Sequence, residues 1–369
     1  MAVTNDLVTD RRVLRHAETL REAGYEVVLV GRKEVPTKHR RGWRFYWEFN
    51  MALQRKLREL KPDIVWANDT DTLLGGWLAV KSYELRVKKV KLVMDAHELF
   101  PEVPEIQGKP LVKWVWRTLE RNLMPKCDAL LTVCDSIAEY YRLQYGVSMA
   151  TVRNLPVESG KWKVESDAAA PGLLSTFHFP LSTHVLLYQG RVNLGRGVDW
   201  AIDALEELPD CRLVVAGDGD LLEEMKAYAS TKPWRERVVF TGRLAPHEME
   251  RLTPQADVGL VMLEDRGLSY HYALPNRIGD FVAAGVPMVV SDLPEMASVV
   301  RRYKVGEVIR GVKGSERTNA QALAEAVRRV LAREWREEDF EEARRDMDWN
   351  KEKKKLITIA NDLCCTTSF

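Results

Sequence analysis

Two arginines, Arg191 and Arg196, stand five positions apart in the run GRVNLGRG (190–197). Before them, HVLLYQ reads as a buried strand. After them, Val198, Ala201, Ile202, Leu205 and Leu208 repeat at helical spacing. A turn from strand to helix offers unpaired N–H groups and the positive end of the helix dipole, which suit phosphate. Gly190, Gly195 and Gly197 let backbone approach a ligand closely. Two permanent charges on such a turn match a diphosphate in charge and size. The plain alternative is a surface loop with two solvated arginines. G-x-G-x-x-G is incomplete at both GDGDLL (217–222) and GRGVDW (195–200), and Gly-Lys-Ser/Thr is absent. Dinucleotide and P-loop readings therefore lose ground.

Further candidates lie in four stretches. In YHYALPNRIGDFVAAGVPMVVSD (270–292), Pro275 suits a helix start and Gly285 its end. Asp280 falls one turn after Asn276, facing the same end, where a carboxylate can accept hydrogen bonds from a ribose diol. VMDAHELF (93–100) puts His97 just past a strand end, with Glu98, Glu102 and Glu105 on the following loop as possible hydroxyl ligands. VTNDLVTD (3–10) supplies Asn5, Asp6 and Asp10 as candidate acceptor contacts. ANDTDT (67–72) places Asp69 and Asp71 in a D-x-D pattern, a metal-site signature that arises often by chance; Asn68 and Asp69 are instead expected to line the site.

The elements that position these residues alternate along the chain. In the first half, strands read at 25–31, 63–68, 91–96, 128–133 and 150–154, with helices at 10–23, 46–60, 70–86, 109–124 and 135–145. Ser136 and Glu139 make a capping-box pattern at the last of these. The stub MAVT reads as a shortened first strand, as though residues preceded it. From 157 to 182 the rhythm lapses into a linker. It restarts with strands at 184–190, 212–217, 237–242, 257–263, 286–292 and 305–310. Strands apolar on both faces belong to parallel sheets covered by helices. The expected architecture is two α/β domains, 1–160 and 161–345, with a final helix (346–369) packing back on the first. Ligands bind beyond the carboxyl ends of such strands, so a cleft between the domains is the expected site.

Bulk properties narrow the class. Net charge is +1, from 55 basic and 54 acidic residues, which argues against nucleic acid as a partner. No apolar run is long enough to cross a membrane, and the first residues lack a signal-peptide core, so a cytoplasmic location is expected. Cys127, Cys134, Cys211, Cys364 and Cys365 form no C-x-x-C and are expected to be reduced thiols. Between 31 and 61, ten Lys/Arg stand against three Glu around GWRFYWEF (42–49), a composition suited to peripheral contact with an anionic membrane face.

The chain resembles retaining family 4 glycosyltransferases of the GT-B fold. In the second half the resemblance rests on GRVNLGRG, RLVVAGDGD, RVVFTGRL, ADVGLVML and LPNRIGDFVAAGVPMVVSDLPEM, in the family's order. TNDLVTDRRV, AGYEVVLVGRK, FYWEFN, NDTDTLLG, DAHELFPEVPEI and VRNLP extend it to the first half and to a bacterial subgroup. The resemblance implies two Rossmann-like domains facing a cleft, a nucleotide-sugar donor, and a glycan or lipid-linked acceptor of bacterial surface-polysaccharide assembly. It implies no cofactor and no metal for donor binding. The family's G-R-x4-K-G loop falls on Gly190, Arg191, Arg196 and Gly197, with arginine replacing lysine. Of its two glutamates, the second falls on Asp280 and the first on Tyr272, which cannot act as an anion. Tyr272, Asn276 and Arg277 are then candidates for the sugar-side contacts. The family's sugar-contacting histidine falls on His97, making His97 and Asp280 the expected catalytic residues. A nucleotide-sugar epimerase, or a non-catalytic sugar-nucleotide-binding protein, uses the same scaffold and stays open.

Overall fold

A computed structural model describes residues 1–5, 7, 10–84, 89–156, 183–309 and 316–365. The linker reading at 157–182, Asp6 and the last four residues lie outside them. Two compact units emerge. One takes in Met1–Asn154, Gly267–Ser269 and the chain from Asn350; the other holds Leu155–Arg266 and Tyr270–Trp349.

The first unit runs α1 (Arg11–Glu22), α2 (Gly42–Leu60), β1 (Ile64–Asn68), α3 (Thr70–Glu84), β2 (Lys91–Ala96), α4 (Pro110–Leu123), β3 (Ala129–Thr132), α5 (Asp135–Tyr145) and β4 (Ala150–Thr151). Its parallel sheet has the order β1-β2-β3-β4. Ala2 bridges to both Ala67 and Val30, extending the sheet beyond β1. The chain crosses from Ala2 to Val30 on one side and continues through β1 on the other. Thr4, Asn5, Asn68 and Asp69 thus follow the strand ends where the order reverses.

Two sequence expectations fail here. YEVVLVG (25–31) forms a single bridge rather than a strand. Among the described residues it is Met1–Val3 that run beside it, bonding to Val28 and Val30, too short a partner for a ladder. The capping box at Ser136 does not form. Cys134 is the N-cap, its side chain makes no capping bond to the helix, and Glu139 turns to Arg142 at 2.7 Å.

The second unit runs β5 (His184–Gln189), α6 (Val198–Ala204), β6 (Cys211–Ala216), α7 (Leu222–Ser230), β7 (Val238–Gly242), α8 (Pro246–Leu252), β8 (Val258–Val261), the end of α9 (Leu268–His271) from Tyr270 on, α10 (Asn276–Ala284), β9 (Met288–Ser291), α11 (Pro294–Tyr303), β10 (Gly306–Ile309), α12 (Glu316–Leu331) and α13 (Glu338–Asp346). The last helix, α14 (Trp349–Cys365), belongs from Asn350 to the first unit. The second sheet is parallel, in the order β10-β9-β8-β5-β6-β7. Its direction of progress reverses between β5 and β8, so the loop after β5 lies at a switch point. β5 is buried on both faces: Val185 and Leu187 pack with α10 residues, Leu186 and Tyr188 with α6 residues. That is why HVLLYQ reads as an uninterrupted apolar run. Among the described residues, no helix is long and apolar enough to cross a membrane.

Candidate active site

In the second unit the site is built around Gln189, the last residue of β5. Its Nε2 donates to Asp280 Oδ2 at 3.0 Å, and its Oε1 accepts from Thr253 Oγ1 at 2.9 Å. Its backbone carbonyl accepts from Arg277 Nη1 at 2.8 Å. One residue thus ties the root of the GRVNLGRG loop to α10. The sequence reading passed over Gln189; a polar residue closing an apolar strand was the available signal.

The loop then turns tightly. Gly197 sits at φ +66°, and a Cβ there would lie 2.6 Å from Met262 Cβ. A Cβ on Gly217 would lie 1.8 Å from the Gly190 carbonyl oxygen. The glycines of GDGD therefore seat a second loop against the first, through Val192 N–H to the Asp218 carbonyl at 2.9 Å and Leu221 N–H to the Val192 carbonyl at 3.0 Å.

The arginines differ in state. Arg191 is 64% exposed in its side chain and pairs with Asp218 at 3.1 Å. Arg196 lies over the Tyr270 ring, 4.7 Å from its centroid, with Nε buried and lacking a hydrogen-bond partner. Arg277 is buried over the Tyr188 ring at 4.8 Å, and its Nε and Nη2 also lack partners. Burial lowers the Arg277 pKa, and the neighbouring Arg196 charge lowers it further. Unused buried donors on two mutually repelling guanidinium groups are the kind of groups that an anion satisfies. The inner arginine is Arg277, beneath Gly190, whose missing Cβ leaves room for its Nη1.

The helix acid differs from expectation. Asn276, the first residue of α10, is exposed, whereas Asp280 is only 7% exposed and held by Gln189. The two do not present one surface. Tyr272 is half-buried, edge-on to His271 at 4.8 Å.

In the first unit, β1 and β2 end side by side and bring Asn68, Asp69, Asp95 and His97 together. Asp69 adopts φ +62°, and its N–H donates to the Asp95 carbonyl at 2.9 Å. Its Oδ1 accepts the His97 backbone N–H at 2.7 Å, and its Oδ2 lies 3.4 Å from His97 Nδ1. His97 Nε2 lies 3.3 Å from Asn68 Oδ1 and 3.6 Å from Asp95 Oδ2. Arg12, on α1, forks onto Asp95 at 2.5 and 3.0 Å. Burial opposes the charge on His97, but Asp69 and Asp95 overcome it and raise its pKa to about 9. Burial also opposes ionisation of Asp95, which Arg12, His16 and His97 nevertheless hold well below the usual carboxylate range. His16 goes the other way: burial and Arg12 lower it to about 4. One histidine is thus cationic at neutral pH and the other neutral.

The remaining candidates are placed as follows. Asn5 Nδ2 donates to Asp10 Oδ2 at 2.8 Å, while Asp10 Oδ1 caps α1 through the Val13 N–H at 3.1 Å. This pair fixes the first loop. Asp69 and Asp71 diverge: Asp69 serves His97, and Asp71 accepts from Thr4 Oγ1. Glu98 is exposed. Glu102 is buried between Lys113 and Arg117, each at 2.6 Å, which places it in the frame of the unit instead of among its hydroxyl ligands.

Comparison with known proteins gives the class. Residues 9–156 match the family described as Glycosyltransferase Family 4, and residues 183–333 match Glycosyl transferases group 1. The chain is similar to alpha-D-kanosaminyltransferase of Streptomyces kanamyceticus, 26% identical over 67% of this chain. The match spans 62% of that relative, less than two thirds of its length. Sucrose-phosphate synthase from Thermosynechococcus elongatus superposes with TM-score 0.72 at 18% identity, covering 96% of this chain and 93% of that one. WaaG, a glycosyltransferase involved in lipopolysaccharide biosynthesis, superposes with TM-score 0.71 at 16% identity, covering 97% and 98%. The fold is that of GT-B glycosyltransferases. By sequence, residues 9–156 and 183–333 are glycosyltransferase domains of the family 4 and group 1 types.

Proposed function

We propose that this protein is a retaining glycosyltransferase. It moves a sugar from a nucleoside-diphosphate sugar to a hydroxyl, in bacterial surface-polysaccharide or glycolipid assembly. The observation that carries this reading is the pair Arg196 and Arg277 beside the loop at the switch point, where Arg196 Nε and Arg277 Nε and Nη2 are buried without acceptors. They bind the diphosphate and neutralise it as it leaves, a task that then needs no metal. Arg191 adds a third, more exposed charge. Asp280 keeps acceptor capacity beyond its bond to Gln189 and takes the ribose diol. His97, held cationic by Asp69 and Asp95, contacts the donor sugar, while Asn68, Asp69 and Glu98 serve the acceptor side. The names of the kanosaminyltransferase and of the lipopolysaccharide enzyme support sugar transfer and a surface-glycan setting.

Calorimetric titration with UDP, GDP and their sugars tests the donor site. Arg277→Ala should weaken nucleotide binding by about 10- to 100-fold, the worth of one or two charge-assisted hydrogen bonds. Unchanged affinity would sink the assignment, and a loss of affinity on adding EDTA would sink the metal-free reading. Retention is read from the anomeric coupling of the product by NMR; an inverted product overturns that part.

A further inference from the structure

Gln189 closes an apolar strand with a buried amide, which is costly unless both of its ends are paired. Its side-chain partners, Thr253 and Asp280, lie 64 and 91 positions away and are buried too. They dictate which way the amide faces. A carboxylate only accepts, so Asp280 takes the Nε2 end. Thr253 Oγ1 then has one proton and two acceptors, Gln189 Oε1 at 2.9 Å and the Met249 carbonyl at 2.8 Å. With the amide turned over, Thr253 would still be satisfied, because its hydroxyl also accepts. Oε1 would then face the Asp280 carboxylate and repel it. The bond between Gln189 and Asp280 is therefore what locks the amide, and in return it holds the carboxylate. The terminal torsion of an aspartate is intrinsically broad, and this bond narrows it.

The backbone of the same residue holds the opposite charge. Arg277 Nη1 donates to the Gln189 carbonyl at 2.8 Å, in the space that a Cβ on Gly190 would close. Arg277 and Asp280 stand at i and i+3 on α10, neighbours along one side of the helix. One residue thus sets the cation and the carboxylate against each other, through its carbonyl and its amide. Such an arrangement bears on selectivity. A site rejects an analogue that lacks a hydroxyl only when its own buried polar group is then left unpaired. A carboxylate free to turn would find another partner; a carboxylate held in one plane would not.

We propose that Gln189 is a positioning residue that makes the donor site select a ribonucleoside diphosphate over its 2′-deoxy counterpart, by holding the Asp280 carboxylate in a fixed plane beside the Arg277 guanidinium. It acts through these two side chains and not by touching the nucleotide. The inference rests on the assignment of the ribose diol to Asp280 and of the diphosphate to Arg277. Thr253, which bonds the other end of the amide, supports the same lock from behind.

The test is calorimetric titration of the full chain with UDP and GDP, each against its 2′-deoxy form, read as a ratio of affinities. The parent should prefer the ribonucleotide by about 10- to 100-fold, the worth of a hydrogen bond to a charged group. Asp280→Asn should bring the ratio close to one. Gln189→Met, of similar length but without the amide, should lower the ratio by about tenfold or more. Gln189→Glu keeps the shape, should the methionine variant not fold, and sets an acceptor against Asp280. Its ratio should be near one at pH 9 and recover towards the parent's at pH 6, where the two carboxyls share a proton that restores the missing donor. Arg277, the charged group on the Gln189 carbonyl, keeps its charge throughout this range. A side chain that merely filled space would give no such recovery relative to the parent at the same pH. If Asp280→Asn erases the preference and Gln189→Glu keeps it at both pH values, the proposal is overturned and the ribose assignment stands. If the preference survives Asp280→Asn, the ribose assignment itself fails. A parent that binds both forms equally overturns the proposal as well.

Discussion

The guanidinium groups of Arg191, Arg196 and Arg277 share one charge but not one environment, and environment sets their worth. Arg191 already has Asp218 and is largely in solvent, where an ion pair contributes little. Arg196 and Arg277 hold buried donors with nothing to meet. Truncation to alanine should therefore weaken nucleotide binding least at Arg191 and most at Arg277, in a titration series at one ionic strength. Equal losses at all three would mean that burial plays no part. His97 is the other residue whose state decides its role. Its folded pKa of about 9 stands above the ordinary 6.5, because Asp69 and Asp95 outweigh the cost of burial. Stabilisation from that charge is complete below about pH 6.5 and is lost as pH rises through about 9. The ring-proton NMR titration of His97 should show a midpoint near 9 that drops when Asp95→Asn removes one carboxylate. A midpoint near 6.5 in the unsubstituted protein would end the cationic reading.

At the scale of elements, the sequence was legible where a pattern is local. β5, β6, β8 and β9 are continuous apolar runs because each is covered on both faces. Gly197 and Gly285 mark turns because both adopt positive φ. Contacts between distant segments were not legible. Gln189 and Asp280 are 91 positions apart, and nothing in either stretch announces their hydrogen bond. Arg277 resembles any polar residue on a helix until packing buries it. YEVVLVG has strand composition but too short a neighbour, and Glu139 found an arginine closer than a cap. The join of α3, α4 and α5 is equally hidden. Glu120 of α4 is fully buried and accepts from Thr70 Oγ1 at 2.7 Å, Tyr145 OH at 2.9 Å and Tyr141 OH at 3.0 Å. Burial outweighs these donors and raises its pKa from 4.5 to about 7. A carboxyl raised in this way favours the fold below pH 4.5, and stability falls as pH climbs from there to about 7. Glu120→Gln should flatten that slope and leave the variant a few kcal/mol more stable than the parent above about pH 7, as read by urea unfolding at both pH extremes. A variant that unfolds with the parent's pH profile would show that the proton is carried elsewhere.

The whole molecule is two units threaded by one chain that returns to its beginning. α14 closes on the first unit through Glu352, which is fully buried. Its carboxylate accepts the Arg153 N–H at 3.1 Å and Arg153 Nε at 3.0 Å, and it also takes Lys355 Nζ at 2.9 Å. Tyr25 OH adds a bond to Asn361 at 2.6 Å. The first unit thus needs the far end of the chain, while Arg196 and Arg277 belong to the second. Removing one partner of a buried ion pair costs about 3–5 kcal/mol because the other charge is left uncompensated. Glu352→Ala should therefore lower the melting of the first unit by several degrees, followed through the fluorescence of its tryptophans. Nucleotide at a hundred times its dissociation constant stabilises what it binds by about 2.7 kcal/mol. That gain should appear in hydrogen exchange of the second unit, in parent and variant alike. If Glu352→Ala instead abolished nucleotide affinity while the second unit stayed folded, the two units would not divide the work as the burial of their charges implies.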